Sequence, residues 1–116
     1  MDHVTDVFKV LSDETRLRII ILLAQGELCV CQLSGILAIA QPKISKHLAK
    51  LRDMGFVSIR RSDKFIYYRL EETNAILNCI AKDILANIDQ YPRLIADQHR
   101  IDEKETFLKQ CRTPCL

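Results

Sequence analysis

Two of the five cysteines of this 116-residue chain are separated by a single residue, and this pair is the clearest sign of chemistry in the sequence. Cys29 and Cys31 fall at the start of a short predicted helix, residues 29–37. Because a helix N-terminus lowers the pKa of a thiol, we expect both sulfurs to be partly thiolate and able to bind soft ions. Residues i and i+2 lie about 200° apart on a regular helix, so one small ion could join both sulfurs only by distorting the first turn. A core-filling role is the alternative, because buried cysteines commonly only pack.

The other three cysteines carry weaker predictions. Cys79 lies in a long apolar segment and is interpreted as a packing residue. Cys111 and Cys115 belong to a cysteine-bearing tail, residues 110–116, in which Pro114 disfavours a regular helix, so the two thiols either fold around an ion or hang free. An odd number of cysteines without a signal-peptide pattern predicts thiols or metal ligands before disulfides, in a cytoplasmic protein.

A second feature is the uneven distribution of charge. Between Gln41 and Arg69 eight Lys and Arg stand against two Asp and Glu, a local charge of +6 in a chain whose net charge is only +2. Such a concentration of positive charge in one quarter of the chain indicates an anionic partner. In the helix predicted over residues 42–54, isoleucine and leucine recur on one face and lysine on the opposite face.

An apolar back and a front of Lys, Ser and Gln suit this helix to the major groove, where cations meet phosphates and guanine edges and polar side chains meet bases. A basic hairpin follows at once, as a wing near a second stretch of backbone. The predicted DNA contacts are Gln41, Lys43, Ser45, Lys46, His47, Lys50, Arg60, Arg61 and Lys64. A solvated surface is the alternative for the three lysines taken alone, and a structural role is the alternative for His47.

The spacing at which apolar residues recur along the sequence predicts the helices and strands that must position these residues. Helical spacing over residues 4–11 and 14–24 predicts two helices, with Ser12 as the N-cap of the second and Gly26 as its stop. Alternation over residues 57–70 predicts a hairpin, and helical spacing returns at Thr73, with Pro92 before a weaker helix over residues 93–109. We therefore predict a single domain over residues 1–116 that is mainly α with a β-hairpin wing, of the α+β class. Its elements, in order, are four helices, a hairpin and one or two further helices, which is the order of a winged helix-turn-helix.

Several classes of protein are disfavoured by the same sequence. The longest apolar run, Ile19–Ala24, is too short to span a bilayer. An enzyme is not expected, because His3, His47 and His99 lie far apart in sequence and none has an obvious cysteine partner. An adaptor that only dimerises would leave the basic hairpin unexplained.

The sequence resembles the ArsR/SmtB family of winged-helix metal-sensing repressors, and within it the arsenic-responsive repressors. The blocks that carry the resemblance are Leu11–Leu17, Glu27–Cys31, Gln41–Leu48, Leu51–Gly55 and Tyr67–Leu70. The resemblance implies a homodimer on double-stranded operator DNA, joined through residues 1–11 and 73–91, with half-sites about 34–36 Å apart or a multiple of that distance. It also implies that DNA binding requires no cofactor, and that As(III) or Sb(III) on Cys29 and Cys31 releases the operator and derepresses arsenic resistance genes.

The sequence departs from the family pattern at one ligand. Arsenic repressors carry a third cysteine three positions after the second, where this chain has Ser34. Either two sulfurs suffice, or Cys111 or Cys115 of either protomer supplies the third. Sensing of Cd(II) or Pb(II) through four sulfurs, or of thiol oxidation, stays open. The zinc- and nickel-type site of the family is set aside, because Asp97 and His99 are followed by Gln110 where a second histidine is needed.

Overall fold

Helices form most of the chain and enclose a hydrophobic core beside a small antiparallel sheet. The computed structural model describes residues 2–110. The helices are α1 (Asp2–Leu11), α2 (Glu14–Leu23), α3 (Val30–Leu37), α4 (Gln41–Asp53), α5 (Ala75–Ala86), α6 (Pro92–Arg100) and α7 (Lys104–Gln110), and the strands are β1 (Leu28–Cys29), β2 (Val57–Ser62) and β3 (Phe65–Leu70). Short 3-10 turns occupy Ile88–Gln90 and Ile101–Glu103. The predicted mainly α architecture with a hairpin wing is confirmed.

The centre of the core is α2. Its run from Ile19 to Leu23 is buried all round, so neighbours cover every side of the second half of this helix. The apolar back of α4, formed by Ile44, Leu48 and Leu51, is fully buried. Each such side chain contributes about 1.5–3 kcal/mol by leaving water, and this burial fixes which face of α4 points outward.

The predicted N-cap of α2 is wrong by one residue. Asp13 has the extended backbone of a cap, and its carboxylate accepts the Arg16 N–H at 3.0 Å. This hydrogen bond is the main reason why the pKa of Asp13 is lowered. Ser12 instead donates to the Lys9 carbonyl at 2.7 Å, at the end of α1. Asp and Ser are about equally favourable at an N-cap, and the Asp13 carboxylate in addition meets the positive end of the helix dipole.

The hairpin is part of a three-stranded sheet in the order β1-β3-β2. β1 pairs with β3 so that Leu28 lies opposite Tyr68 and Cys29 opposite Tyr67. Asp63 turns the hairpin with a φ of 55°, a left-handed conformation that Asp tolerates better than most residues. The wing is therefore hydrogen-bonded to the segment that contains the first cysteine of the pair.

The helices of the C-terminal third are shorter and more often interrupted than the apolar residues of the sequence predict. Helix α5 ends at Ala86 and a 3-10 turn follows, whereas one continuous stripe runs to Ile88 in the sequence. The helix predicted over residues 93–109 is two helices, α6 and α7, separated by the second 3-10 turn. Among residues 2–110 no helix is long and apolar enough to span a membrane.

Candidate nucleic-acid interface and metal centre

The outward face of α4 carries the polar residues that the sequence predicts there. Pro42 lies in the first turn, where its missing N–H costs no helical hydrogen bond. The exposed predicted contacts on this helix are Gln41, Lys43, Ser45, Lys46 and Lys50. Since the opposite face is buried, the three lysines share one exposed surface that fits a polyanion.

His47 differs from these residues, because it is partly buried beside the start of α2. Burial lowers the pKa of His47, and the nearby cations Arg16, Lys43 and Lys50 lower it further, while Asp13 opposes them. The imidazole is therefore neutral near pH 7.

The three basic residues of the wing have different surroundings. Arg61 and Lys64 are exposed, and the Lys64 Nζ lies 5.8 Å from the centre of the Phe65 ring. Arg60 instead forms a bidentate ion pair with Glu27, its Nε donating to both carboxylate oxygens at 3.0 Å. The Arg60 guanidinium also lies 5.0 Å from the centre of the Tyr67 ring. Because of this pairing the pKa of Glu27 is lowered, and Arg60 ties the wing to the segment before Cys29.

Cys29 and Cys31 lie where the sheet passes into α3. Cys29 is fully buried in β1 and forms the N-cap of α3, with φ −94° and ψ 173°. Cys31 is 5% exposed in the first turn of the helix. The expectation that both belong to a regular helix about 200° apart is therefore wrong, because Cys29 precedes α3 in extended conformation. A ligand shared by the two sulfurs would bridge the strand and the helix.

Gln32 and Gln41 hold this segment from two sides. Gln32 is 3% exposed, and its Oε1 accepts the Cys29 N–H at 3.0 Å. Gln41, the first residue of α4, donates from Nε2 to the Cys31 Sγ at 3.5 Å. The first turn of α3 is thus bonded to the first turn of α4.

The connection from α3 to α4 is short and held in place. Ala38 adopts a left-handed conformation with φ 57°, which costs a non-glycine residue about 1–2 kcal/mol. Ser34 donates from Oγ to the Ile39 carbonyl at 2.5 Å across this turn. The residue that stands in place of the family's third cysteine therefore stabilises the turn of the helix-turn-helix.

The C-terminal helices cover α2 and α3. Arg18 of α2 bonds Asp97 of α6 through two hydrogen bonds of 2.9 and 2.8 Å and also donates to the Leu37 carbonyl at 3.2 Å. Both side chains of this ion pair are buried, at 10% and 6% exposed. Hydrogen bonding to Asp97 raises the pKa of Arg18. Asp97 is therefore committed to an ion pair, which supports setting aside a zinc-type site at Asp97 and His99.

Helix α7 packs on the thiol-bearing helix. Gln32 Nε2 donates to the Lys104 carbonyl at 3.4 Å. The Phe107 ring lies so close to Gly35 that a Cβ there would clash with the ring. A glycine is therefore required at this contact. Cys111 follows α7 directly, but Cys111 and Cys115 lie outside the described residues. Within residues 2–110, no group of three or more His, Cys, Asp or Glu side chains is placed to hold a metal ion.

Comparison with known proteins agrees with this geometry. Residues 13–58, which run from the N-cap of α2 into β2, match the bacterial regulatory protein arsR family. The solved structure of the transcriptional repressor BigR from Xylella fastidiosa superposes with a TM-score of 0.64 at 35% identity, over 72% of this chain and 83% of BigR. The chain belongs to the arsR family of bacterial regulatory proteins. The AntR antimony-specific transcriptional repressor superposes with a TM-score of 0.65 at 28% identity, over 78% of this chain and 80% of AntR.

Relatives by sequence carry the names of regulators, in agreement with the prediction of a regulator and not an enzyme. The arsenic resistance transcriptional regulator ArsR1 of Pseudomonas putida is 54% identical over 55% of this chain and 51% of its own length. The arsenical resistance operon repressor of Escherichia coli is 54% identical over 55% of this chain and 56% of its own. A CadC homolog of Staphylococcus aureus, a cadmium resistance transcriptional regulatory protein, is 40% identical over 60% and 58%. The chain spans little more than half the length of these relatives.

Sequence reasoning missed the residues that connect the site to the rest of the fold. Glu27, Arg18 and Asp97 act through partners that are distant in sequence, and no local spacing points to them. Gln32 bonds the distant Lys104 and also the nearby Cys29 N–H, three residues before it, which is the spacing of a capping box. Gly35 is the one signal in the sequence that could have indicated the contact with α7. Glycine inside a helix lowers its stability by about 1 kcal/mol relative to alanine, and it is found there where another group approaches closely.

Proposed function

We propose that this protein is a transcriptional repressor that binds operator DNA and leaves it when trivalent arsenic or antimony is bound by its thiolates. The observation that carries the proposal is the position of the C-x-C pair, which lies at the start of the first helix of the helix-turn-helix itself. A ligand at these sulfurs acts on the DNA-reading unit directly and needs no distant relay. Release of the repressor would then derepress arsenic resistance genes.

The DNA contact is built from α4 and the wing. Gln41, Lys43, Ser45, Lys46 and Lys50 lie exposed on one helix, and Arg61 and Lys64 are exposed on the hairpin. Lysines supply phosphate contacts, and the Gln and Ser side chains supply contacts to base edges. Arg60 is bound to Glu27, so we propose that it positions the wing and contributes less to DNA affinity than Arg61 or Lys64. His47 supports the start of α2.

The ligand set begins with Cys29 and Cys31. Each thiol that binds arsenous acid gives its proton to a hydroxide of the acid, which leaves as water while an As–S bond replaces an As–O bond. Thiolate sulfur is the donor that soft ions prefer. The two residues meet at the end of a strand and the start of a helix, so their side chains are not held to the fixed angle of a regular helix.

Cys111 or Cys115 is our candidate for a third thiolate. Helix α7 packs on α3, and its last residue, Gln110, is followed directly by Cys111. Five further residues of extended chain reach about 17 Å, which brings Cys115 into consideration as well. Ser34 is not available without opening the turn, because its hydroxyl is bonded to Ile39.

A second copy of the chain is the proposed partner at the outer helices. Val4 and Phe8 on α1 and Ile76 on α5 are large apolar side chains that are 42%, 59% and 39% exposed. Helices α1 and α5 contact each other, and we propose that these residues belong to one apolar surface. A homodimer that covers it would present two DNA-reading helices to two half-sites.

Operator-DNA anisotropy against added arsenite tests the proposal. We expect arsenite to release the wild type, and Cys29→Ser/Cys31→Ser to bind operator but not to release it. Cys111→Ser/Cys115→Ser is expected to respond only at higher arsenite, and adding Ser34→Cys to that variant should restore the response by supplying a sulfur one helical turn from Cys31. Cys79→Ser is the control, because Cys79 is an exposed thiol of α5 and the prediction that it packs is wrong. A full response from Cys29→Ser/Cys31→Ser would refute the thiolate mechanism.

Sensing of Cd(II) or Pb(II) is the second candidate, and the likeness to a cadmium resistance regulator favours it. The same assay separates the two, because a wild type that ignores arsenite and is released by Cd(II) belongs to the second class. Release by a thiol oxidant with neither ion would indicate redox sensing.

A further inference from the structure

A cavity of about 410 Å³ opens between α6 and the turn that joins α3 to α4. Part of its wall is apolar and includes Leu37, at the end of α3, and Ala96 of α6. The rest is charged, with three cations and one anion: Arg18, Arg93, Arg100 and Asp97. No residue of the C-x-C pair and no predicted DNA contact lines this cavity. The proposed repressor mechanism therefore gives it no role.

Arg18 is the residue that points to a ligand, because it is only 9% exposed and its guanidinium is only partly paired. Its Nε and Nη2 donate to Asp97, and Nη2 also donates to the Leu37 carbonyl. Nη1 forms no hydrogen bond with any of residues 2–110. Among those residues, the buried side-chain nitrogen or oxygen that lacks a hydrogen bond is Gln98 Oε1, so Nη1 is not sealed from solvent. Two of the five N–H donors of this guanidinium are therefore left for a ligand.

The other charges of the cavity wall favour an anion. Both oxygens of Asp97, the one acid of the lining, accept hydrogen bonds from Arg18. Arg93 lies 3.4 Å from Glu14, but both side chains are 64% exposed, so this ion pair is loosely held. The first turn of α6 supplies Arg93 to the wall and has no side-chain cap, which adds the positive end of a helix dipole. Three positive charges thus stand against one negative charge.

We propose that this cavity binds a small organic carboxylate, with its anionic group at Arg18 and Arg100 and its apolar part against Leu37 and Ala96. A carboxylate matches the planar fork of arginine, which donates two parallel N–H bonds to it. A volume of about 410 Å³ lies within the range of small-molecule sites, which are mainly apolar and contain a few polar groups that orient the ligand. The site uses neither the thiols nor the DNA surface, so this inference does not depend on the proposed function.

Titration of the full chain with octanoate, followed by amide chemical shifts and by calorimetry, tests the proposal. We expect saturable binding with a Kd of about 1 mM, as for a ligand of about ten non-hydrogen atoms. The largest shifts should be those of the Ala38 and Ala96 amides, because both residues line the cavity. No saturation below about 10 mM octanoate would overturn the proposal.

Two further probes separate the charge from the apolar chain. Octanamide has the same chain without the negative charge and is expected to bind at least about tenfold more weakly, because charge-assisted hydrogen bonds are lost. Inorganic phosphate has the charge without the chain and is also expected to bind more weakly than octanoate. Affinity for octanamide equal to that for octanoate would mean that the arginines bind no anion. Affinity for phosphate equal to that for octanoate would mean that the apolar wall binds nothing. Either result would overturn the proposal.

Substitutions in the cavity wall locate the site. Arg100→Gln removes one anion contact outside the buried ion pair and is expected to raise the Kd of octanoate about tenfold. Ala96→Phe puts a ring into the cavity from an exposed position and is expected to abolish binding. Arg52→Gln is the matched control, because Arg52 is exposed on α4 and does not line the cavity. Equal losses in Arg100→Gln and Arg52→Gln would show general attraction to a basic protein and overturn the proposal.

Discussion

Removing the carboxylate of Asp97 should destabilise the protein more than any other substitution of a charged residue proposed in this Discussion. Asp97→Ala leaves the Arg18 guanidinium with one remaining hydrogen bond, to the Leu37 carbonyl, in a site where its side chain is only 10% exposed. Breaking a buried ion pair on one side costs about 3–5 kcal/mol, because the remaining charge stays desolvated. We take the lower value, since α6 lies at the periphery and Arg18 regains some water when it moves.

The expected loss converts to a shift in melting temperature. Unfolding entropy is about 2.1 cal/mol/K per residue, so a loss of about 3 kcal/mol in a chain of 116 residues lowers the Tm by about 12 °C. Replacing both partners, as Arg18→Met/Asp97→Leu, should cost less than Asp97→Ala alone, because no buried charge remains. Thermal unfolding at pH 7 followed by circular dichroism measures the Tm of both variants.

The control is an exposed ion pair that also joins α6 to α2. Arg93 and Glu14 lie 3.4 Å apart and both side chains are 64% exposed, so Arg93→Ala should change stability by less than about 0.5 kcal/mol. A loss below about 1 kcal/mol for Asp97→Ala would refute the reasoning, because it would mean that Arg18 is resolvated and that the pair does not hold α6 on α2.

Three further predictions concern the helix contacts, the pH dependence and the DNA surface. Gly35→Ala should destabilise the protein by about 1–3 kcal/mol through its clash with the ring of Phe107, and adding Phe107→Ala should relieve the clash. A Gly35→Ala variant that is more stable than the wild type in thermal unfolding would contradict the packing of α7 on α3. Burial lowers the pKa of His47 below its ordinary 6.5, so the folded state favours the neutral imidazole, and the free energy of unfolding should decrease as the pH falls from 6.5 towards that lowered pKa. In urea unfolding, His47→Gln should make this free energy depend less on pH in the same window, and an equal pH dependence in wild type and variant would contradict the prediction. Lys46→Ala should reduce the salt slope of operator binding by about 0.9 per protomer, whereas Lys82→Ala on α5 should leave it unchanged; equal slopes for all three proteins would remove the phosphate contact at Lys46.

The parts of the fold that follow from local rules were predictable, and the parts that depend on distant partners were not. The faces of α4 follow from the spacing of Ile44, Leu48 and Leu51, because a 3.6-residue period leaves one buried side. Strand β1 has only two residues, too few for any alternation, and it exists because Tyr67 and Tyr68 of β3 pair with it. The N-cap at Asp13 was missed by one residue, since Ser12 and Asp13 both satisfy the local rule and only the bond to Arg16 decides between them.

The C-x-C pair lies where four elements meet, so in the proposed repressor a ligand on the two sulfurs would act on the whole DNA-reading unit. The segment Glu27–Gln32 bonds the wing through Arg60 and through β1 pairing, α7 through Gln32, and α4 through Gln41. A distortion of this segment therefore changes the wing, the C-terminal helix and the start of α4 at the same time. On the proposed function, the effect of a ligand on DNA affinity would be the sum of the displacements at these contacts. Single substitutions at Arg60, Gln32 or Gln41 should each reduce the response in part, and only loss of the sulfurs should abolish it.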